Sequence, residues 1–191
     1  ARLPCAVLAV ARSTYAAQCM IRSTALESEA PNARPDVAVL APMDRVHRLV
    51  LDTNVSLALW LFADPTLVEL DRALRDGRCR WVSSPALWAE LAHEVRPRRC
   101  ARLGLTPQRV MATIGAIPLD LLEVAPCPSV PENMRCKDPD DQVFVDFALA
   151  SGAHALLSRD RAVLALRRPA AVRGLTISDP RDWIRHMGWR E

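Results

Sequence analysis

The chain has 191 residues, half of them apolar and a quarter charged, with a formal net charge of +3. That length and balance fit one globular domain with a real core and some chain to spare, and they exclude a wholly disordered chain, a collagen and a coiled coil. No apolar run approaches the roughly 18–20 residues a membrane helix needs.

Residues 1–44 read differently from the rest. Arg, Ala, Ser and Thr are scattered through them, and a Pro-punctuated stretch follows from Pro31 to Pro42. Residues 3–11 are apolar behind Arg2 and could be the core of a signal peptide, but Pro4 interrupts them and no tidy cleavage site follows. The reading adopted is a weakly ordered extension with one short helix over residues 7–21. The domain is expected to occupy residues 45–191.

From Arg45 the pattern sharpens into alternating strand and helix. Residues 46–51 form a short apolar strand, followed by helices over 55–62 and 66–76. The second is closed by Gly77, the residue type that best tolerates a left-handed helix end. A strand spans 80–83. Ser84-Pro85 then supplies a cap and a first-turn proline for a helix running to about Val95. Helical signal returns over 107–114, and 121–124 reads as an edge strand. Asp138-Pro139 repeats the cap-then-proline device and opens a helix through Ala150. Two buried strands follow, at 155–157 and 175–177. This order implies a three-layer α/β/α sandwich with a parallel central sheet covered on both faces.

Several chemistries lack a motif. Six glycines against fifteen prolines leave no GxGxxG and no Walker-type loop. The six cysteines form no CxxC pair or zinc spacing, and read as reduced and mostly structural, which points to the cytoplasm. Glu90-Leu-Ala-His93-Glu94 superficially resembles a zincin helix, but the second histidine is missing. Lys137 is the only lysine. The arginine excess would suit phosphate gripping, but a GC-rich coding bias is the favoured account of it.

Ligands of such sheets bind outside the carboxyl ends of the strands. Four acids fall there. Asp52 ends the first strand, and Glu90 lies in the second turn of the helix capped by Ser84. Asp141 lies in the first turn of the helix capped by Asp138, and Asp160 follows the strand at 155–157. Each has a duller role open to it: a cap for Asp52, a solvated helix position for Glu90, the helix dipole for Asp141, a turn for Asp160. Their joint placement favours function. Two unit charges about 4 Å apart cost roughly 4 kcal/mol at an effective dielectric near 20. Converging carboxylates are tolerated when they hold a hard cation such as Mg²⁺ or Mn²⁺.

Three segments carry a family resemblance: Arg48 to Asn54 (RLVLDTN), Ser83 to Leu91 (SSPALWAEL), and Cys136 to Asp160, which opens CKDPDD and closes LLSRD. In this order, over about residues 46–183, the chain resembles a PIN domain. Its Asp-Pro-Asp-Asp segment resembles the subgroup of toxin components of bacterial toxin–antitoxin modules. The resemblance implies a Mg²⁺- or Mn²⁺-dependent ribonuclease in which Asp52, Glu90, Asp141 and Asp160 match the acidic, metal-holding quartet, with Asn54 and Ser158 as supporting polar positions. It implies hydrolysis of RNA by an activated water, leaving a 5′-phosphate and a 3′-hydroxyl. It also implies a homodimer silenced by a small antitoxin protein, with no membrane partner. The extension over residues 1–44 has no counterpart in the family pattern.

Two rival readings stand beside this one. A haloacid-dehalogenase-like phosphatase also begins with a strand ending in Asp, but it needs a second carboxylate two residues on, where this chain has Asn54. A catalytically silent PIN-like module would use the fold only to bind RNA or protein. Within the crowded acids, Asp138 suits the N-cap, and Asp141 shares a helix face with Phe144, Val145 and Ala148. Asp140 is expected to matter least.

Overall fold

The computed structural model of the chain describes residues 46–125 and 131–189. The extension over residues 1–44, with its expected helix at 7–21, lies outside the described residues. Five strands make one sheet: β1 (His47–Leu51), β2 (Cys79–Ser83), β3 (Leu119–Leu121), β4 (Ala155–Leu157) and β5 (Thr176–Ser178). Their order is β3-β2-β1-β4-β5, and every neighbouring pair is parallel. The connections are helical, as parallel neighbours require. They are α1 (Thr53–Trp60), α2 (Val68–Arg75), α3 (Pro85–Glu94), α4 (Pro97–Ala101), α5 (Pro107–Gly115), α6 (Pro139–Ala150), α7 (Arg161–Leu164), α8 (Arg167–Ala171) and α9 (Pro180–His186).

Alternation along the strands builds the two outer layers. Leu49, Leu51, Trp81, Ala155 and Leu157 pack on one side with residues of α1, α2, α5 and α9, among them Val55, Leu70, Ile114 and Trp183. Val50, Val82, Leu156 and Ile177 pack on the other side with Phe144, Val145 and Ala148 of α6, Val163 of α7 and Ala170 of α8. Leu49, Val50 and Leu51 are 0%, 1% and 4% exposed, so the second half of β1 is buried on both faces, while His47 and Arg48 before it are half-buried. That explains why these three residues are all apolar instead of alternating with polar ones. The three-layer α/β/α architecture is therefore as the sequence implied. No helix of the described residues is long and apolar enough to cross a membrane.

Local chemistry sets the boundaries. Ser84 accepts a hydrogen bond from Leu87 N at 3.2 Å, with Pro85 in the first turn, and Asp138 accepts from Asp140 N at 3.0 Å ahead of Pro139. Both helices start where the cap-then-proline pairs put them. Gly77 ends the α2 segment at φ +73°, the left-handed conformation expected of it.

Some expected bounds move. The first helix begins at Thr53 because Asp52 itself caps it, and it ends at Trp60, leaving Phe62 exposed. The second is a 3-10 turn, Pro65–Leu67, running into α2, because Asp64 caps at Thr66 and Pro65 opens the turn. The edge strand lies at Leu119–Leu121, not 121–124, since pairing with Trp81–Ser83 of β2 fixes its register. The last strand lies one residue later than expected. The short helices α4, α7, α8 and α9 were not anticipated; none is longer than seven residues, too short for a periodic signal.

Candidate active site

Strand order reverses between β1 and β4, the two strands from which the chain departs to opposite edges of the sheet. A parallel sheet opens a crevice at the carboxyl ends of such a pair. Asp52 follows β1 there, and Ser158 follows β4. The two ends are stitched together: Asp52 N donates to Leu157 O at 3.0 Å, and Ser158 N to Ser178 O at 3.0 Å. A cleft of about 480 Å³ opens beside them, lined by Asp52, Thr53, Asn54, Glu90, Glu94, Arg99, Asp140 and Asp141.

Asp52 is only 2% exposed. Its Oδ2 accepts a 2.6 Å hydrogen bond from Ser158 Oγ, and its Oδ1 accepts from Asn54 N at 3.0 Å. A buried carboxylate held this way has one orientation and keeps further lone pairs on both oxygens. Ser158 is itself fully buried and accepts from Asp160 N at 2.9 Å, so one hydroxyl links the two acids. Thr53 plays the same part for the third acid, its Oγ1 donating to Glu90 Oε1 at 2.9 Å. Asp160 also accepts from Ala162 N at 2.6 Å and thereby caps α7.

The electrostatics register the crowding. Burial raises the carboxyl of Asp52 above its ordinary value, against the lowering bonds from Ser158 and Asn54 N, and the charge of Asp160 pushes it further. Asp141 is raised to about 6, first by desolvation and then by the charges of Asp52, Asp160, Asp138 and Glu90. Four carboxylates thus act on a fifth across one cleft. Among the described residues no three His, Cys, Asp or Glu side chains are already gathered closely enough to hold an ion. The donor set nevertheless fits a hard divalent cation: it is all oxygen, over-negative, and partly pre-oriented by hydroxyls and main-chain N–H groups.

Asp52, Glu90 and Asp141 therefore line one cleft without being in contact as a ligand set, with Asn54 and Asp140 also at its wall. Asp160 does not line the cleft but acts on it through Ser158 and through its field. The duller roles turn out to be simultaneous with the placement, since Asp52 and Asp160 both cap helices. Asp141 is half-buried and Asp140 exposed, and both line the cleft. Sequence reasoning missed Thr53, Glu94 and Arg99. Glu94 was within reach of it, lying one helical turn beyond Glu90 on the same face. Arg159, between Ser158 and Asp160, is engaged elsewhere, its Nη2 donating to Asp64 Oδ2 at 2.7 Å.

An α/β/α sandwich with a cleft at its topological switch point belongs to the class of open α/β proteins whose ligands bind outside the carboxyl ends of the strands. A family model described as the PIN domain matches residues 48–162, more than half of the chain. The chain belongs to the PIN-domain family, whose members are generally nucleases and typically use divalent metal ions. No curated protein matches the chain, and neither does any solved structure.

Proposed function

We propose that this chain is a Mg²⁺- or Mn²⁺-dependent endoribonuclease, in which Asp52, Glu90, Asp141 and Asp160 hold the cation. The observation that carries this reading is Asp52: a carboxylate at the switch point, buried to 2% exposure and oriented by Ser158, with three more acids acting on the same space. Such an arrangement costs stability in the empty protein, and binding a cation repays it.

A bound divalent cation would lower the pKa of water and offset the charge that develops on a phosphoryl group in the transition state. The chain's own residues do the rest. Ser158 fixes the orientation of Asp52 and, through Asp160 N, the distance between the two acids. Thr53 holds Glu90. Asp138, as the cap of α6, sets where the first turn carrying Asp141 stands. A hydroxyl that orients an anionic ligand group typically contributes about 10- to 100-fold in metal affinity or activity.

The same reading takes RNA as substrate and a small antitoxin protein as partner, supported by the resemblance of the Asp-Pro-Asp-Asp segment to toxin components. A homodimer and a cytoplasmic setting belong to it as well. Among the described residues Cys79, Cys100 and Cys136 are free thiols, and burial pushes that of Cys79 up to about 12. The test is cleavage of a single-stranded RNA by the full chain with Mg²⁺ or Mn²⁺. Products should form with either ion and vanish in EDTA; cleavage that persists in EDTA contradicts the reading.

A further inference from the structure

A nucleic acid is a polyanion, and a cleft lined by Asp52, Glu90, Glu94, Asp140 and Asp141 repels it. Among the described lining residues one side chain has the opposite sign, Arg99. It belongs to α4, the short helix that Pro97 opens directly after α3. Its Nη1 lies 3.2 Å from Glu94 Oε2 and donates to Glu94 O at 3.4 Å. Glu94 pairs with Arg96 too, and His93 Nδ1 stands 3.7 Å from its carboxylate. One acid at the end of α3 thus holds both Arg96 and Arg99.

The side chain of Arg99 is 37% exposed, so it is tethered and still open to an incoming group. Only Nη1 meets Glu94, and a guanidinium carries five N–H groups in a planar fork. That leaves donors with the geometry that grips two phosphate oxygens at once. A tether also reduces the ordering cost of a long, flexible side chain when its ligand arrives. We propose that Arg99 grips an RNA phosphate beside the scissile bond and that Glu94 is the positioning residue that holds it over the cleft. This rests on the ribonuclease reading above, and the other possible duty of Arg99, balancing the acids, makes opposite forecasts.

The experiment combines two measurements on the full chain. Steady-state cleavage in Mn²⁺ gives kcat and KM. Fluorescence anisotropy of a labelled single-stranded RNA, in an Asp52→Asn background, gives affinity without turnover. Arg99→Gln should raise KM and Kd about tenfold with kcat at saturation nearly unchanged, the signature of lost substrate binding. The slope of log affinity against log salt should shrink by about 0.7, one phosphate contact on a single strand. Arg99→Lys should keep the salt slope and recover only part of the affinity, because it keeps the charge and loses the fork. Glu94→Ala separates holding from simple charge: removing an acid favours RNA electrostatically, whereas loss of the tether weakens binding, and we expect weakening of about threefold.

Unchanged Kd and salt slope in Arg99→Gln would overturn the proposal and leave Arg99 as a counter-charge. Tighter RNA binding by Glu94→Ala would overturn the holding role. If the wild type binds RNA but shows no metal-dependent cleavage, the ribonuclease reading fails while the anisotropy series still decides Arg99. A wild type that does not bind RNA overturns both.

Discussion

Replacing Asp141 by asparagine should stabilise the metal-free protein at neutral pH and do nothing for it in acid. Its carboxyl is raised from an ordinary 3.8 to about 6 in the fold, by desolvation and by the charges of Asp52, Asp160, Asp138 and Glu90. The unfolded chain therefore sheds this proton first as pH rises. Wild type loses stability from about pH 4 to pH 6 and stays at the lower level above. Fully coupled, a displacement of this size amounts to about 3 kcal/mol. Water reaches the half-buried carboxyl and screens it, which leaves about 1 kcal/mol. In a domain of this size that is about 2–4 °C in Tm. Thermal unfolding in EDTA at pH 4 and pH 7.5 measures it: the variant should melt higher at pH 7.5 and level with wild type at pH 4. Added Mn²⁺ should reverse the order at pH 7.5, since it stabilises the protein that binds it better. An equal Tm difference at both pH values, or a variant less stable at pH 7.5, would refute the charge crowding.

The other acids and their supports differ in kind. Asp52→Asn should cut metal-dependent RNA cleavage by more than about 100-fold while the metal-free protein melts at the same temperature or slightly higher, because a buried charge is removed. Ser158→Ala should leave Asp52 without its side-chain donor. Cleavage should fall about 10- to 100-fold, and the acidic limb of the pH–rate profile should move up, because the bond that lowers the Asp52 carboxyl is gone. Asp138→Ala should cost about 1 kcal/mol of stability by urea unfolding and much less activity than Asp141→Asn, with Asp140→Asn mild in both assays. A ranking in which Asp138 or Asp140 mattered most for catalysis would remove Asp141 from the proposed site.

Much of the frame was legible because it is written in short-range chemistry. Ser84-Pro85 and Asp138-Pro139 announce helix starts through a cap and a missing N–H, and the three apolar residues Leu49-Val50-Leu51 announce a strand segment buried on both faces. Asp179-Pro180 carries the same device ahead of α9 and could have been read the same way. What stayed hidden depends on partners distant in sequence. Nothing in the stretch Leu119-Asp120-Leu121-Leu122 tells which three residues pair with β2; the register comes from the opposing strand. Thr53 beside Asp52 looks like a helix-start residue, and its bond to Glu90 spans 37 positions. Arg96, Arg98 and Arg99 are equivalent in sequence. Arg96 and Arg99 both pair with Glu94, and it is the lining of the cleft that singles out Arg99.

The central claim is that the acids at the carboxyl end of β1 serve hydrolysis of RNA by water and a divalent cation. The most direct measurement is the chemistry of the product ends after cleavage in ¹⁸O-labelled water with Mn²⁺. The account predicts 5′-phosphate ends carrying the label and free 3′-hydroxyls, with no product in Asp52→Asn. Unlabelled products ending in 2′,3′-cyclic phosphate would mean that the RNA's own 2′-hydroxyl attacks, and would contradict it.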